Sequence, residues 1–215
     1  MIVDKAKIVK CPFCGTKKEL LSLCTGNTFS SKIWSDAKQI APMLPRVSPV
    51  QKCHNCGKYF LPYKQALVKG TVESFETGNL SYEEWKEAYA QFKYEQNITN
   101  RDWYVIRLGM IHAFNDRYYR GPAPLIYVEE STPPADESAF IIEVIENLIL
   151  SINRTSIFDK LFKAELYREI GKFDLCEKTL LTLDLIQLDE FCQKLYKGIY
   201  ERTKAKDVKV YIVTE

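Results

Sequence analysis

The sequence predicts an α+β fold, in which a small amino-terminal β module precedes an array of α-helical hairpins. In residues 1–70, short apolar runs alternate with turn-forming residues and with two pairs of cysteines, the members of each pair being close in sequence. This pattern is typical of small hairpins. From Leu80 onward, apolar residues recur at spacings of three and four, as on one face of an α-helix. A chain of 215 residues, 46% of them hydrophobic, can bury two cores. We therefore predict two domains, 1–70 and 71–215.

The cysteine pairs form two matched motifs, Cys11-Pro-Phe-Cys14-Gly15 and Cys53-His-Asn-Cys56-Gly57. The C-x-x-C spacing lets one tight turn direct two thiolates at one metal ion, and the glycine permits the positive φ that such a turn often needs. Two such turns supply four soft ligands, the complement of a closed tetrahedral zinc site. A closed site stabilises a fold without taking part in a reaction. The sequence thus predicts one structural Zn²⁺ bound by Cys11, Cys14, Cys53 and Cys56.

Other interpretations of these cysteines remain open. Cys11-Pro-Phe-Cys14 alone also resembles the redox dithiol of thioredoxin-like proteins. That fold places its dithiol at the start of a long helix, whereas Gly15 and a strand-like run follow here. An iron centre of the rubredoxin type uses similar turns, so zinc is inferred rather than specified. His54 is interpreted as a solvated residue and not as a further ligand.

The remaining features of composition favour a cytoplasmic protein. Cys24, Cys176 and Cys192 are left over, and an odd number of thiols suits a reducing compartment better than a disulfide framework. We expect these three to be buried apolar side chains that bind no metal. No apolar run approaches the ~20 residues needed to cross a bilayer. The first residues also lack the apolar core of a secretory signal.

The pattern of residues 1–70 is that of a zinc ribbon, in which each cysteine turn lies at the tip of a short hairpin. The two turns are separated by 38 residues, against the ~15–20 usual in compact sites. The excess is a long loop, 25–50, which contains Phe29, Trp34, Met43 and Leu44 among many turn formers. Because these side chains are too apolar for a solvated loop, we expect the loop to pack at the boundary between ribbon and helices, with Trp34 buried. The alternative is an exposed, partner-binding loop.

The helices are predicted from apolar periodicity and from capping residues. Ser81 and Glu84 form a capping-box pattern, and Thr99 with Asp102 resembles another helix start. The prolines of 121–136 indicate a loop with a short extended segment at 125–128. The predicted helices run from Ser81 to about Gln96, Thr99 to about Tyr119, Ser138 to Ile152, Ser156 to Gly171, Asp174 to Leu183 and Asp189 to Thr203, before a terminal strand at Val208–Val213.

One stretch resembles a tetratricopeptide repeat. Small, aromatic, glycine and large apolar residues fall at that family's spacings at Ala164, Tyr167, Gly171, Phe173, Cys176, Leu180 and Leu183. The resemblance covers about 30 residues and implies a hairpin in which Gly171 makes the turn, although Lys160 and Lys163 occupy positions that are usually apolar. The order of parts is also similar to that of uncharacterised bacterial proteins that join a zinc ribbon to a tetratricopeptide-like domain. That resemblance implies an architecture and no activity.

The charge is distributed unevenly. Residues 1–70 carry twelve Lys or Arg against three Asp or Glu, whereas the whole chain has a formal net charge of only +2. A basic ribbon could contact the phosphates of a nucleic acid. Alternatively, it could dock on the acidic remainder of its own chain. We favour this second interpretation, because the lysines are scattered singly.

No catalytic constellation is visible, since the chain has two histidines and lacks the common nucleotide-binding, hydrolase and metalloprotease motifs. We therefore predict a non-enzymatic, zinc-binding interaction protein that binds a protein or peptide partner. The alternative is a nucleic-acid-associated factor that uses the basic ribbon. A weaker alternative is an enzyme that uses Asp36 of the long loop as a base.

Overall fold

A computed structural model describes residues 2–3, 7–20, 23–44, 48–70, 79–120, 132–153 and 155–214. It confirms the predicted α+β class, with short antiparallel strands around the cysteine turns followed by helices. The extended segment predicted at 125–128 lies outside the described residues. None of the described helices is long and apolar enough to cross a membrane.

The strands are β1 (Ile2–Val3), β2 (Lys7–Lys10), β3 (Lys17–Leu20), β4 (Leu23–Thr25), β5 (Lys32–Trp34), β6 (Gln39–Ile40), β7 (Gln51–Lys52), β8 (Tyr59–Phe60) and β9 (Ile212–Thr214). The helices are α1 (Tyr82–Phe92), α2 (Asn100–Asn115), α3 (Ala135–Ser151), α4 (Ile157–Glu169), α5 (Phe173–Leu180) and α6 (Glu190–Lys204).

The chain divides into two compact units. The first comprises Met1–Phe29 and Ala41–Ala113, and the second comprises Ser30–Ile40 and Phe114–Glu215. The first unit thus joins the cysteine turns to α1 and most of α2, whereas the sequence places a domain boundary at residue 70. That boundary stays a prediction.

In the first unit, two hairpins carry the cysteine turns. β2 pairs with β3, and β7 pairs with β8, both antiparallel. Among the described residues, the core shared by the two hairpins consists of Val9, Cys11, Cys53 and Phe60, and Leu20 packs against this core. So few apolar side chains cannot offset the conformational entropy of ordering two hairpins, and a small module of this kind needs a further source of stability.

Helix α1 begins at a capping box, as the sequence predicts. The Ser81 hydroxyl accepts a hydrogen bond from the Glu84 amide, and the Glu84 carboxylate accepts one from the Ser81 amide. The helix holds the second hairpin through Gln91, whose amide group donates to the carbonyl of Tyr59 at 2.8 Å and accepts from its N–H at 2.9 Å. One side chain thereby satisfies both backbone groups of an edge strand that has no neighbour on that side among the described strands.

In the second unit, α4 and α5 form the hairpin that the repeat-like stretch predicts. Gly171 has φ of 71°, and its N–H donates to the Arg168 carbonyl while the Lys172 N–H donates to the Tyr167 carbonyl. This is the hydrogen-bond pattern of a Schellman turn, which requires a left-handed residue directly after the helix. Ala164 and Cys176 are fully buried in one core with residues of α6. Small side chains at these two positions let the helices approach closely.

Cys176→Trp is expected to overpack this core. The substitution forces a large ring between α4, α5 and α6, where Cys176 is 0% exposed, and should lower the free energy of unfolding by about 1–3 kcal/mol or more. Urea denaturation monitored by circular dichroism measures the loss. Leu181→Trp, at an exposed position just beyond the end of α5, is the control and should unfold like the parent. Equal stability of Cys176→Trp and the parent would contradict the hairpin packing.

Part of the long loop forms two paired strands, which the pattern of its residues does not predict. β5 pairs with β6 on one side and with β9 on the other. Asn27 accepts a hydrogen bond from the Phe29 amide, and Asp36 accepts one from the Lys38 amide, so both close turns within the loop. Ser35 instead accepts from the amide of Tyr211 at 3.1 Å. Trp34, which was expected to be buried, is only half-buried.

Candidate metal centre

The two cysteine turns have the same backbone geometry. In the first, the Cys11 N–H donates to the Thr16 carbonyl at 2.8 Å and the Gly15 N–H donates to the Cys11 carbonyl at 2.9 Å. In the second, Cys53 and Gly57 make the equivalent bonds, each at 2.8 Å. Gly15 and Gly57 have φ of 74° and 69°, a conformation that glycine adopts without strain. The local sequence therefore folds each motif so that its two sulfurs point the same way.

The four sulfurs of the two turns lie together, within 4.8 Å of one another. The Sγ atoms of Cys11 and Cys56 are 3.7 Å apart, and those of Cys14 and Cys53 are 3.6 Å apart. A tetrahedral centre with metal–sulfur bonds of about 2.3 Å separates its sulfurs by about 3.8 Å. The spacing thus fits a single ion coordinated by all four cysteines. The arrangement is a candidate metal-binding site with no position left for a substrate.

The thiols differ in their surroundings. Cys11 and Cys53 are buried, whereas Cys14 and Cys56 are exposed. Burial raises the pKa of Cys11 to about 12, while hydrogen bonds with Thr16 lower the pKa of Cys14 to about 5. Four neighbouring thiolates repel one another, so a divalent cation is needed to keep all of them ionised at neutral pH. Thr16 was not singled out in the sequence, because a threonine two residues after a cysteine carries no recognisable pattern.

The other candidate ligands do not join this cluster. His54 is exposed and is not part of the four-cysteine group. Cys176 and Cys192 are buried in the helical core of the second unit. The side chain of Cys24 lies outside the described residues. Among the described residues, the group of side chains that could hold a metal ion is therefore Cys11, Cys14, Cys53 and Cys56.

Two lysines of the ribbon form ion pairs with carboxylates of the first unit. The Lys52 ammonium lies 3.4 Å from Glu84 and 3.6 Å from Glu87 of α1. Lys64 lies 2.7 Å from Asp102, which is 3% exposed. Burial opposes ionisation of Asp102, but hydrogen bonds from Lys64, Tyr63 and Thr99 outweigh it and hold its pKa well below its usual range. The basic ribbon and two acidic helix starts thus neutralise each other in part.

Asp36, the residue considered as a base, lies in a buried polar cluster of the second unit. Its side chain is 0% exposed, and its Oδ2 accepts from Arg120 at 2.6 Å and from Asn115 at 2.9 Å. Burial opposes the charge on Arg120, but Asp36 and Asp116 outweigh it and raise the pKa of Arg120. Asp36 is therefore the partner of a permanent cation, an environment that makes a carboxylate a poor base.

No protein-family model, no curated protein and no solved structure matches this chain. The four-cysteine cluster and the helical carboxy-terminal region are present, and the likeness to tetratricopeptide proteins stays a prediction.

Proposed function

We propose that this is a non-enzymatic, zinc-binding interaction protein of the cytoplasm, whose ribbon is held by one structural Zn²⁺ and whose helical array binds a protein partner. The ligands of the ion are the four thiolates of Cys11, Cys14, Cys53 and Cys56. Zinc is favoured because soft thiolate ligands in a closed tetrahedron suit it, and the sulfur spacing agrees with zinc–thiolate bond lengths.

The observation that carries the interaction role is a group of exposed apolar side chains after α5. Leu181, Leu185 and Ile186 are 82%, 53% and 93% exposed, and they lie within six consecutive residues. Large apolar side chains grouped at a surface mark interaction sites, because leaving them in water costs free energy that a partner recovers. The helical hairpin of α4 and α5 is compatible with this interpretation, since stacked helical hairpins bury their faces against neighbours.

The alternative function, binding of nucleic acid through the ribbon, has less support. Lys52 and Lys64 are paired with carboxylates of the same unit, and the ammonium of Lys18 donates to the Lys52 carbonyl. Lysines that already pair with carboxylates neutralise fewer phosphates, so they displace fewer counterions from the nucleic acid and contribute little to non-specific affinity. Lys10 and Lys58 remain exposed beside the cysteine turns and are the basis on which the alternative rests.

The double variant Leu181→Ser/Ile186→Ser is expected to lose the partner. Metal-loaded parent protein is immobilised, proteins retained from native cytoplasm are identified, and the retained partner is purified and titrated back. Both substitutions remove exposed apolar surface, so the affinity should fall by at least about tenfold while the fold is unchanged. Tyr94→Ser, at an 88% exposed position of the first unit, is the matched control and should bind like the parent.

Equal binding by the parent and the double variant would contradict the proposed surface. Chromatography on a polynucleotide column tests the alternative, nucleic-acid binding. Retention that falls steeply with salt, and that is insensitive to the double variant, would favour the nucleic-acid function instead.

A further inference from the structure

A pocket in the second unit combines apolar walls with a polar end. Its volume is about 220 Å³, and it lies among the end of α2, helix α3 and the end of α4. An apolar cavity of about 150 Å³ can hold benzene, so this space can accept a ligand of at least about six non-hydrogen atoms. The walls are formed chiefly by Phe114, Ile141, Ile142, Ile145 and Ile170, and the polar end by Asn115 and Glu169.

Glu169, the last residue of α4, has one carboxylate oxygen without a partner. Its Oε2 accepts a hydrogen bond from the Asn115 amide at 3.1 Å. Its Oε1 is buried and has no hydrogen-bond partner within the part of the chain that the structure describes. Burial, and then the charges of Glu165 and Asp36, raise the pKa of Glu169 well above its usual range, although Arg168 and Asn115 act in the opposite direction. A buried polar atom left in this state is destabilising unless something binds it.

The cationic side chains near the pocket already pair with other carboxylates. Arg168 pairs with Glu165, Arg120 pairs with both Asp36 and Asp116, and Lys38 pairs with Asp116. Glu169 makes no ion pair with any described residue. Arg168 acts on Glu169 through its charge alone, because its own donors are bonded to Glu165 and Asp207. The carboxylate that faces this space bounded by isoleucines therefore has no cation in hydrogen-bond contact among the described residues.

We propose that this pocket binds a small aliphatic primary amine, with its carbon chain against the isoleucines of α3 and its ammonium group donating to Oε1 of Glu169. An ammonium supplies both the donor that Oε1 lacks and the charge that the cluster lacks. A carboxylate ligand would add a like charge, and an alcohol would leave Glu169 without a counterion. The site is separate from the cysteine cluster and needs no metal.

Binding of the amine is coupled to a proton. Burial and the neighbouring acids raise the pKa of Glu169, and an ammonium beside the carboxylate lowers it again, so binding displaces the proton wherever the free carboxyl still holds one. The affinity should accordingly rise with pH across the range in which the free carboxyl titrates. The groups that face Glu169 are Glu165 and Arg168 of α4, Asp36 of the β5–β6 turn, and Asn115 and Tyr119 at and after the end of α2. Tyr119 stays neutral, because burial and the charge of Glu169 raise its pKa.

The test compares three ligands of one chain length on the full, metal-loaded protein. Hexylamine, with seven non-hydrogen atoms, should bind at least about tenfold more tightly than 1-hexanol, and hexanoate should not bind. Isothermal titration in two buffers of different ionisation enthalpy should show that protons are released, and not taken up, when the amine binds. The affinity for hexylamine should rise as the pH is raised.

Matched variants locate the site. Glu169→Gln keeps the size and the contact with Asn115 but removes the charge, so it should weaken hexylamine binding at least about tenfold, abolish proton release and leave hexanol binding unchanged. Ile142→Trp should fill the pocket and block both ligands. Glu190→Gln, an exposed acid of α6, should bind like the parent. Hexylamine binding that is absent, no tighter than hexanol binding, or unaffected by either Glu169→Gln or Ile142→Trp would overturn the proposal.

Discussion

Cys53→Ser is expected to abolish metal binding and to unfold the ribbon. The serine hydroxyl is a hard, neutral ligand, and the remaining three thiolates cannot complete a closed tetrahedral centre. Metal-binding free energy is folding free energy in such modules, with apparent values of about 10–16 kcal/mol for zinc-finger peptides. The ribbon core contributes little in compensation, because Cys53 is itself one of its few buried residues. Elemental analysis should give close to one zinc per parent chain and none in the variant.

Two controls show whether the loss is due to coordination. His54→Ser alters the neighbouring exposed residue and should retain the metal in full. Cys192→Ser alters a buried thiol of the helical core, so it should lower stability but keep the metal. A full complement of metal in Cys53→Ser would refute the assignment. Iron in place of zinc in the parent would correct the identity of the ion and leave the ligands unchanged.

Chelation of the ion should have a localised effect. Amide hydrogen exchange is expected to accelerate in β2, β3, β7 and β8, because the metal supplements a small ribbon core, and most strongly in β2 and β3, since Gln91 of α1 also holds β8. Far-ultraviolet circular dichroism should keep most of its helical signal, since α4, α5 and α6 share a core of their own. Uniform acceleration across α4–α6 would show that the ion supports more of the fold than the cysteine turns.

Features encoded in a few consecutive residues could be predicted from the sequence. The C-x-x-C-Gly turns, the caps at Ser81, Ser156 and Asp189, and the turn at Gly171 each depend on hydrogen bonds within about five residues. Their chemistry is therefore visible in a short window of sequence. The helix ends were misplaced by up to a few residues, because fraying and tertiary packing set the last turn.

Features that join distant segments could not be predicted. β5 and β9 pair across almost the whole chain, and the residues of the long loop give no indication of their partner. Asp36 and Arg120 form a buried ion pair across 84 positions, so Asp36 was considered as a base when it is a structural anion. Glu169 follows an ordinary helical pattern, and only the folded chain places its carboxylate at the end of an apolar pocket. Such sites depend on which surfaces meet, and periodicity alone does not specify this.

The largest effect expected in the second unit concerns the buried pair of Arg168 and Glu165. Both side chains are 0% exposed, and the guanidinium donates through Nε at 2.8 Å and through Nη2 to the two carboxylate oxygens. Nη1 donates to the carbonyl of Asp207, and the guanidinium lies 5.7 Å from the centre of the Tyr211 ring. Burial opposes the charge, but Glu165 outweighs it and raises the pKa of Arg168 above its usual value. This arginine therefore ties α4 to the segment that precedes β9.

Arg168→Met is expected to lower the free energy of unfolding by about 3–5 kcal/mol, because it leaves the carboxylate of Glu165 buried without a counterion. Urea denaturation measures the loss. The double variant Glu165→Leu/Arg168→Met should regain most of it, since a buried ion pair replaced by apolar side chains of similar size is often neutral or stabilising. Recovery should be incomplete, as the Asp207 carbonyl still lacks its donor. If the double variant is no more stable than Arg168→Met, then the cost arises from lost packing against Tyr211, and the unpaired charge is not its cause.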